Sequence, residues 1–326
     1  MRIERLSESG TGSGDGAGDQ PDWYPDEPAA AEGDRILRWQ AVPDGEPGEG
    51  RGEGRDDGPV GTAWLRLYQD EGRRHLARYQ AAVRPDAVGQ GIGTALLDQV
   101  RAAALTEGRG ILLTRAGLGS EADGFLAGAG FTVGAETQRL LLRVADCDQD
   151  ALRATVRSGS EGYHLVRWQG VAPADLIGSY AAARGTLNDT PTEGTDSGGA
   201  HWDEDRVRAV ASEAEQRGDA LLTVAALGLD GLGEEVVAGF SEVAVPRDTT
   251  RARQSDTAVL KEHRGRGLGL WVKAAMLQWL LGAHPEVEGV GTVCLAGNQH
   301  MIEINQALGF RPDGGDRYYR LALTEV

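Results

Sequence analysis

The sequence predicts two tandem copies of one α/β unit, and three observations carry that prediction. The chain has 326 residues, the length of about two ordinary domains. A strand, a glycine-rich loop and an apolar helix follow one another twice. Landmarks of the two occurrences keep a nearly constant separation: Val88 and Arg264 are 176 residues apart, Phe131 and Phe310 are 179 apart. Apolar residues make up 40% of the chain, enough for two cores.

Residues 1–33 are rich in Gly, Ser, Asp and Pro and predict a mostly disordered tail. RILRWQAV, Arg35 to Val42, reads as a strand. Asp44 to Gly58, rich in glycine and charge, is expected as a long loop between two strands of a hairpin. GTAWLRLY (61–68) and HLARYQAAV (75–83) are strand-like in their aromatic and apolar content. After Val88-Gly89-Gln90-Gly91-Ile92-Gly93 comes a helix with Ala95, Leu96, Val100 and Ala103 on one face. GILLT (110–114) is a short buried-type strand, 120–129 a short helix ahead of Gly130-Phe131, and TQRLLLRV (137–144) a closing strand. The first unit is expected over 34–146.

The pattern restarts at about 150 and runs to 326. YHLVRW (163–168) reads as a strand and 172–184 as a helix, followed by a polar loop through Asn188, Asp189, Thr190 and Pro191. Residues 202–217 form a helix whose first turn holds Asp203, Glu204 and Asp205, as the helix dipole favours. Strands follow at 221–227, 235–245 and 252–260. Arg264-Gly265-Arg266-Gly267-Leu268-Gly269 then leads into a helix carrying Leu270, Val272, Ala275, Met276 and Trp279. A strand at 290–295, a helix at 299–308, Gly309-Phe310 and a strand at 318–323 complete the chain.

Fifty acidic and 33 basic residues give a net charge of −17. That argues against a nucleic-acid partner, which needs concentrated Lys and Arg. It suits a cationic or amine-bearing small molecule, or simply keeps the protein soluble. Cys147 and Cys294 are too few for a disulfide framework or a four-thiolate zinc site, and read as small core residues; no metal is expected. No apolar run reaches the roughly 20 residues that span a bilayer, and the N-terminus has no apolar h-region. A soluble, cytoplasmic protein with no membrane partner is expected.

A glycine loop between a strand and a helix offers several backbone N–H groups at the positive end of a helix, which suits phosphate oxygens. Spacing excludes two familiar versions. A dinucleotide fingerprint needs Gly or Ala three positions after its second glycine, where these loops have Leu270 and Thr94. A phosphate loop of the Walker type needs Gly-Lys-Ser/Thr, which neither has.

Both loops resemble the Arg/Gln-x-x-Gly-x-Gly/Ala pyrophosphate loop of the GCN5-related N-acetyltransferase (GNAT) superfamily. In the second unit the resemblance extends over Thr257-Ala258-Val259, the full motif Arg264, Gly265, Arg266, Gly267, Leu268, Gly269, and Asn298, Met301, Asn305, Leu308, Gly309 and Phe310. The stretch AGNQHMIEINQALGF, Asn188-Asp189 and Gln254-x-Asp256-Thr257 look like a group of actinobacterial acetyltransferases. The resemblance implies two tandem acyl-CoA N-acyltransferase domains. Each would be an α/β unit of the α+β kind: a mixed, mostly antiparallel sheet with helices on both faces. The motif strand would splay from its neighbour to admit the pantetheine arm.

The first unit keeps Ala81-Ala82-Val83, Gly89, Gln90, Gly91, Ile92 and Gly93, but has Val88 where the motif has Arg or Gln and Leu126 where the family often has Tyr. It also lacks a front strand and helices to build an amine pocket. Mycothiol synthase-like tandem acetyltransferases are similarly asymmetric, with catalysis in the C-terminal half. By that analogy the first unit is structural or a vestigial acyl-CoA site.

The implied reaction moves acetyl from acetyl-CoA to a primary amine of a small molecule, by direct attack in a ternary complex. A protonated amine needs a base, and Glu242 and Asp256 are the candidates. Each either takes the proton, directly or through water, or anchors the amine by charge, or is an ordinary strand carboxylate paired with an arginine. The Val259 amide is the expected oxyanion donor. Asn305, the third catalytic candidate, stands at the usual Tyr position; its carboxamide can hydrogen-bond to the leaving sulfur or the pantetheine but cannot supply a phenolic proton, so the thiolate leaves unassisted, or Tyr318 or Tyr319 serves. His263 is expected to cap or position the loop, with a proton shuttle as the alternative. Asn298 either contacts the coenzyme arm or pins two strands. Asn188, Asp189 and Trp202 are the substrate-side candidates. Protein or peptide N-acetylation and a catalytically poor acyl-CoA-binding module are the alternatives. The chain is expected as a monomer of pseudo-dimeric halves or as a homodimer.

Overall fold

The computed structural model describes residues 1–6, 34–43, 58–189 and 201–323. They fall into two compact units. Unit 1 takes its described residues from Met1–Ala135 and Arg317–Val326, and unit 2 from Glu136–Thr192 and Gly199–Asp316. The strands β1 (Arg2–Arg5), β2 (Arg35–Val42), β3 (Gly61–Leu67), β4 (Leu76–Val83) and β5 (Ile111–Gly117) lie side by side in unit 1, with helices α1 (Ile92–Thr106) and α2 (Glu121–Gly128). β1 to β4 pair antiparallel, and β4 pairs parallel with β5.

α1 packs Ile92, Leu96, Val100 and Ala104 inward, four residues apart, as an amphipathic helix should. They meet Leu37, Trp39, Leu65, Tyr79 and Leu112 in the core of the unit. One expectation fails here. Residues 1–33 are not irregular from the first: Arg2–Arg5 is a strand that pairs with β2, Ile3 packs on the core, and Gln40 Nε2 donates to Glu4 Oε2 at 3.2 Å. Four residues with one apolar side chain carry too little pattern to show a strand; the open edge of β2 supplies the backbone partners. A front strand therefore exists in unit 1. Residues 7–33 and 44–57 lie outside the described residues.

β6 (Thr132–Arg143) begins in unit 1 and continues in unit 2, where it pairs with β11. After it come α3 (Gln149–Ser158), β7 (His164–Gln169), α4 (Ile177–Gly185), α5 (Glu204–Arg217), β8 (Ala220–Leu229), β9 (Glu235–Val245), β10 (Arg251–Val259), α6 (Leu268–Ala283), β11 (Gly289–Leu295) and α7 (Gln299–Ala307). The strands of unit 2 stand in the order β6, β11, β10, β9, β8, β7; β10 and β11 are parallel and the other pairs antiparallel. β12 (Arg311–Ala322) starts in unit 2, and its residues 317–322 complete unit 1 beside β5. The compact units therefore depart from the contiguous halves 34–146 and 150–326, because each closing strand is long enough to serve both.

α3 was not expected. Asp148 caps it by accepting from Asp150 N and Ala151 N; the helix is amphipathic, but it is mostly polar and buries only Leu152 fully, so its apolar content is low. α4 starts later than 172 because Pro173 heads a turn that accepts from Leu176 N and Ile177 N. α6 is buried almost all round, as its run of Leu, Trp, Val, Ala and Met requires.

Candidate active site

Local chemistry shapes the second glycine loop. His263 ends a 3₁₀ turn, Lys261–His263, and Gly265 and Gly267 take φ of 77° and 75°, a region that side chains other than glycine avoid. Gly267 is the N-cap of α6, so the first amides of that helix face outward. At Gly269 the backbone packs closely, and a Cβ there would press on Ile304 Cδ1 at 3.2 Å. Arg264 Nε donates to Val259 O at 3.0 Å, and Arg266 stands over the Tyr163 ring. Both guanidinium groups are exposed and have no carboxylate partner among the described residues. Two unpaired cations beside outward amides fit a diphosphate.

The motif strand opens as expected. β10 pairs with β11 only from Arg251↔Gly289 to Arg253↔Gly291, and the strands then part. On its other edge β10 follows β9, and Leu260 N donates to Ala238 O at 2.9 Å. Antiparallel ladders alternate, so Val259, one residue earlier, turns its N–H to the splayed side. The ladder carries a bulge between Gln254 and Thr257 that places Ser255 and Asp256 opposite the single residue Glu242.

The two carboxylates proposed as bases share one guanidinium. Arg184 Nη1 lies 2.7 Å from Glu242 Oε2, and Nη2 lies 2.6 Å from Asp256 Oδ2. Tyr180 OH also donates to Glu242 Oε2, at 2.9 Å, and Trp202 stacks on the Arg184 guanidinium at 3.8 Å. The Glu242 side chain is 4% exposed and that of Asp256 36%. Burial lifts the Glu242 carboxyl above its ordinary range, with Arg184 pulling against it. Burial likewise raises the Tyr180 phenol. Glu242 is thus sealed, and Asp256 is the carboxylate that solvent reaches.

Other candidates have different surroundings. Asn298 caps α7, its Oδ1 accepting from Met301 N at 3.1 Å. Asn305 is turned into the core rather than toward the splay: it is fully buried and its Nδ2 donates to Cys294 Sγ at 3.2 Å. This corrects its expected role at the leaving sulfur. Tyr318 and Tyr319 belong to unit 1. Tyr319 OH donates to Asp123 Oδ1 at 2.5 Å in the unit 1 core. Asn188 and Asp189 end a 3₁₀ turn, Thr186–Asp189. Arg184, Tyr180 and Tyr163 escaped the sequence reading, since a helical arginine or a strand-edge tyrosine has no signature of its own.

Unit 1 repeats the scaffold with different chemistry. Gly89 and Gly91 take φ of 81° and 79°, β4 and β5 pair only from Leu76 to Arg78, and Val83 turns its N–H outward by the same alternation. A cavity of about 540 Å³ occupies this splay, lined by Ala81, Val83, Gly91, Gly93, Thr114 and Phe125 among others. The β3–β4 ladder has no bulge, and Trp64 and Gln80 stand where unit 2 has Glu242 and Asp256. Val88 is exposed, Arg84 pairs with Asp86 at 2.6 Å, and the loop itself carries no cation.

Residues 53–133 match the family model described as the acetyltransferase (GNAT) domain. The match falls in unit 1, the one with fewer of the motif's residues. A tandem GNAT protein from the clavulanic acid biosynthesis pathway has a similar structure, with 24% identity, 91% of this chain and 86% of that chain covered, and a TM-score of 0.65. A GCN5-related N-acetyltransferase from Sphaerobacter thermophilus covers 84% of both chains at 13% identity and a TM-score of 0.58. A glucosamine N-acetyltransferase region of a fungal multi-domain β-N-acetylglucosaminidase covers 88% of this chain and 33% of that one, at 14% identity and a TM-score of 0.56. No curated protein matches the chain. Residues 53–133 thus carry a match to the acetyltransferase (GNAT) domain, and the fold of the chain is similar to that of a tandem GNAT protein. No helix among the described residues is long and apolar enough to cross a membrane.

Proposed function

We propose that the chain transfers acetyl from acetyl-CoA to a primary amine of a small molecule, by direct attack in a ternary complex in unit 2. Acetyl-CoA, when bound, supplies the thioester carbonyl that the amine attacks. Arg264, Arg266 and the amides opening α6 hold its diphosphate, and the outward edge of Thr257-Ala258-Val259 lies along the pantetheine arm. The Val259 N–H faces the oxygen on which charge develops. Asp256, through its exposed oxygen, receives the ammonium and takes its proton, directly or through a water. Trp202, Asn188 and Asp189 form the substrate side. The Ala81–Val83 edge and the Gly89–Gly93 loop are a second acyl-CoA site, without a carboxylate to activate an amine. The work is done in the cytoplasm.

The observation that carries this reading is the solvent-reaching Asp256 carboxylate, set by a bulge three residues before an outward-facing amide on the splayed strand. It is tested by titrating acetyl-CoA calorimetrically into the wild type, Gly93→Glu and Gly267→Glu, and by following CoA release with a panel of primary amines. A glutamate in either loop repels the diphosphate. Two sites are expected, each variant losing one, with turnover lost only in Gly267→Glu. Binding without turnover of any amine would sink the transfer reading, and no binding at either loop would sink the acyl-CoA reading with it.

A further inference from the structure

The second glycine loop is tied to a part of unit 2 that has no counterpart among the described residues of unit 1. Tyr163, at the end of the connection from α3 to β7, bonds through its OH to His263 Nδ1 at 2.8 Å, with the two rings edge to face. His263 is 6% exposed and immediately precedes the loop. Ser160 Oγ, on the same connection, donates to Arg266 O at 3.2 Å, and the Arg266 guanidinium lies 5.8 Å from the centre of the Tyr163 ring. The ring in turn rests against the bare backbone of Gly228, where a Cβ would come within 2.5 Å of Tyr163 Cε1. Tyr163 is thus backed by β8 and reaches both ends of the turn that carries Gly265. In unit 1 the corresponding turn is Pro85–Ala87, with alanine in the place of His263.

We propose that Tyr163 and His263 are positioning residues for the coenzyme's diphosphate in unit 2, holding the loop backbone through their hydrogen bond and setting Arg266 by the face of the Tyr163 ring. The inference rests on the reading of that loop as an acyl-CoA site. An unheld loop whose key residues are glycines samples many conformations, and ordering it at the moment of binding weakens affinity. Unit 1 meets the same need with the rigid φ of Pro85. In unit 2 the Tyr163–His263 couple does so, and it also fixes a cation that unit 1 lacks.

The test is calorimetric binding of free CoA to the full chain in a Gly93→Glu background, which leaves the unit 2 loop as the site measured. Tyr163→Phe keeps the ring on Gly228 and under Arg266 but deletes the bond to His263; about a 3–10-fold weaker Kd is expected. Tyr163→Leu deletes both and is expected to weaken binding at least threefold beyond that. The melting temperature without ligand is measured alongside, so that a general loss of stability is seen separately. A Kd within twofold of the parent in both variants overturns the proposal, whatever the melting temperature does. If Gly93→Glu/Gly267→Glu still binds CoA as tightly as Gly93→Glu, the acyl-CoA reading of the loop fails instead.

Discussion

Arg184 decides what Glu242 and Asp256 can each do. Removing one member of a buried ion pair strands the other, at a cost of about 3–5 kcal/mol. Glu242→Gln is therefore expected to lower stability while leaving kcat within about tenfold, because the sealed carboxylate is a holder of Arg184. Asp256→Asn removes the proposed base, and kcat should fall about 10²-fold or more at nearly unchanged stability. Steady-state kinetics together with urea midpoints distinguish the two; the opposite pattern would make Glu242 the base.

Lys273, on α6, gives a second expectation at the same scale. It is 1% exposed, lies near Cys294 and the Phe310 ring, and burial pulls its ammonium down to about 8. An unfolded lysine titrates near 10.4. Between those values the unfolded chain holds a proton that the folded one has released, so stability rises as pH climbs from about 8 towards 10. Below 8 the cost of the buried charge is fully present. Lys273→Met should be more stable at pH 7, by up to about 3 kcal/mol, and should lose that rise. Urea midpoints at pH 7, 9 and 10 check it, and a variant with an unchanged slope would refute it.

Among the elements, the closing strands differ most from the halves that the repeat suggests. Residues 317–322 bring Tyr319 and Leu321 into the unit 1 core, and Arg317 Nη1 lies 2.9 Å from Asp123. Asp123 also accepts from Gly119 N and Tyr319 OH, and the Tyr319 bond holds its carboxyl below the usual range. A chain ending at Asp316 should therefore lose amide protection across β2 to β5, while β8 to β10 stay protected in hydrogen exchange. Equal loss in both units, or loss in unit 2 alone, would contradict this assignment of the strand. Most other elements were legible to within a few residues. β2 and β9 run over 35–42 and 235–245 as read, because their β-branched, aromatic and apolar content is local. β1 and α3 were missed for the opposite reason: each buries one or two side chains and is held by a neighbour or a cap.

At the scale of the whole molecule, one scaffold occurs twice with its chemistry divided. Both units have positive-φ glycines, a splay and an outward valine amide. Only unit 2 adds the loop arginines, the bulge and the paired carboxylates. In a chain of net charge −17, cations left unpaired at a loop favour an anion there against the general repulsion of the surface. The two-site titration with Gly93→Glu and Gly267→Glu follows from this division.

By itself the sequence determined the repeat, the glycine loops and the strands and helices beside them. These depend on periodicity and backbone freedom within a few residues, which the order of amino acids records directly. Only the tertiary structure decided that Arg184 takes both candidate bases, that Tyr163 meets His263, that Asn305 faces Cys294, and that the last strand completes the first unit. Those pairings join residues 11 to 196 positions apart. Which partners meet is set by sheet register, a bulge and the packing of a core, and no local pattern contains that information.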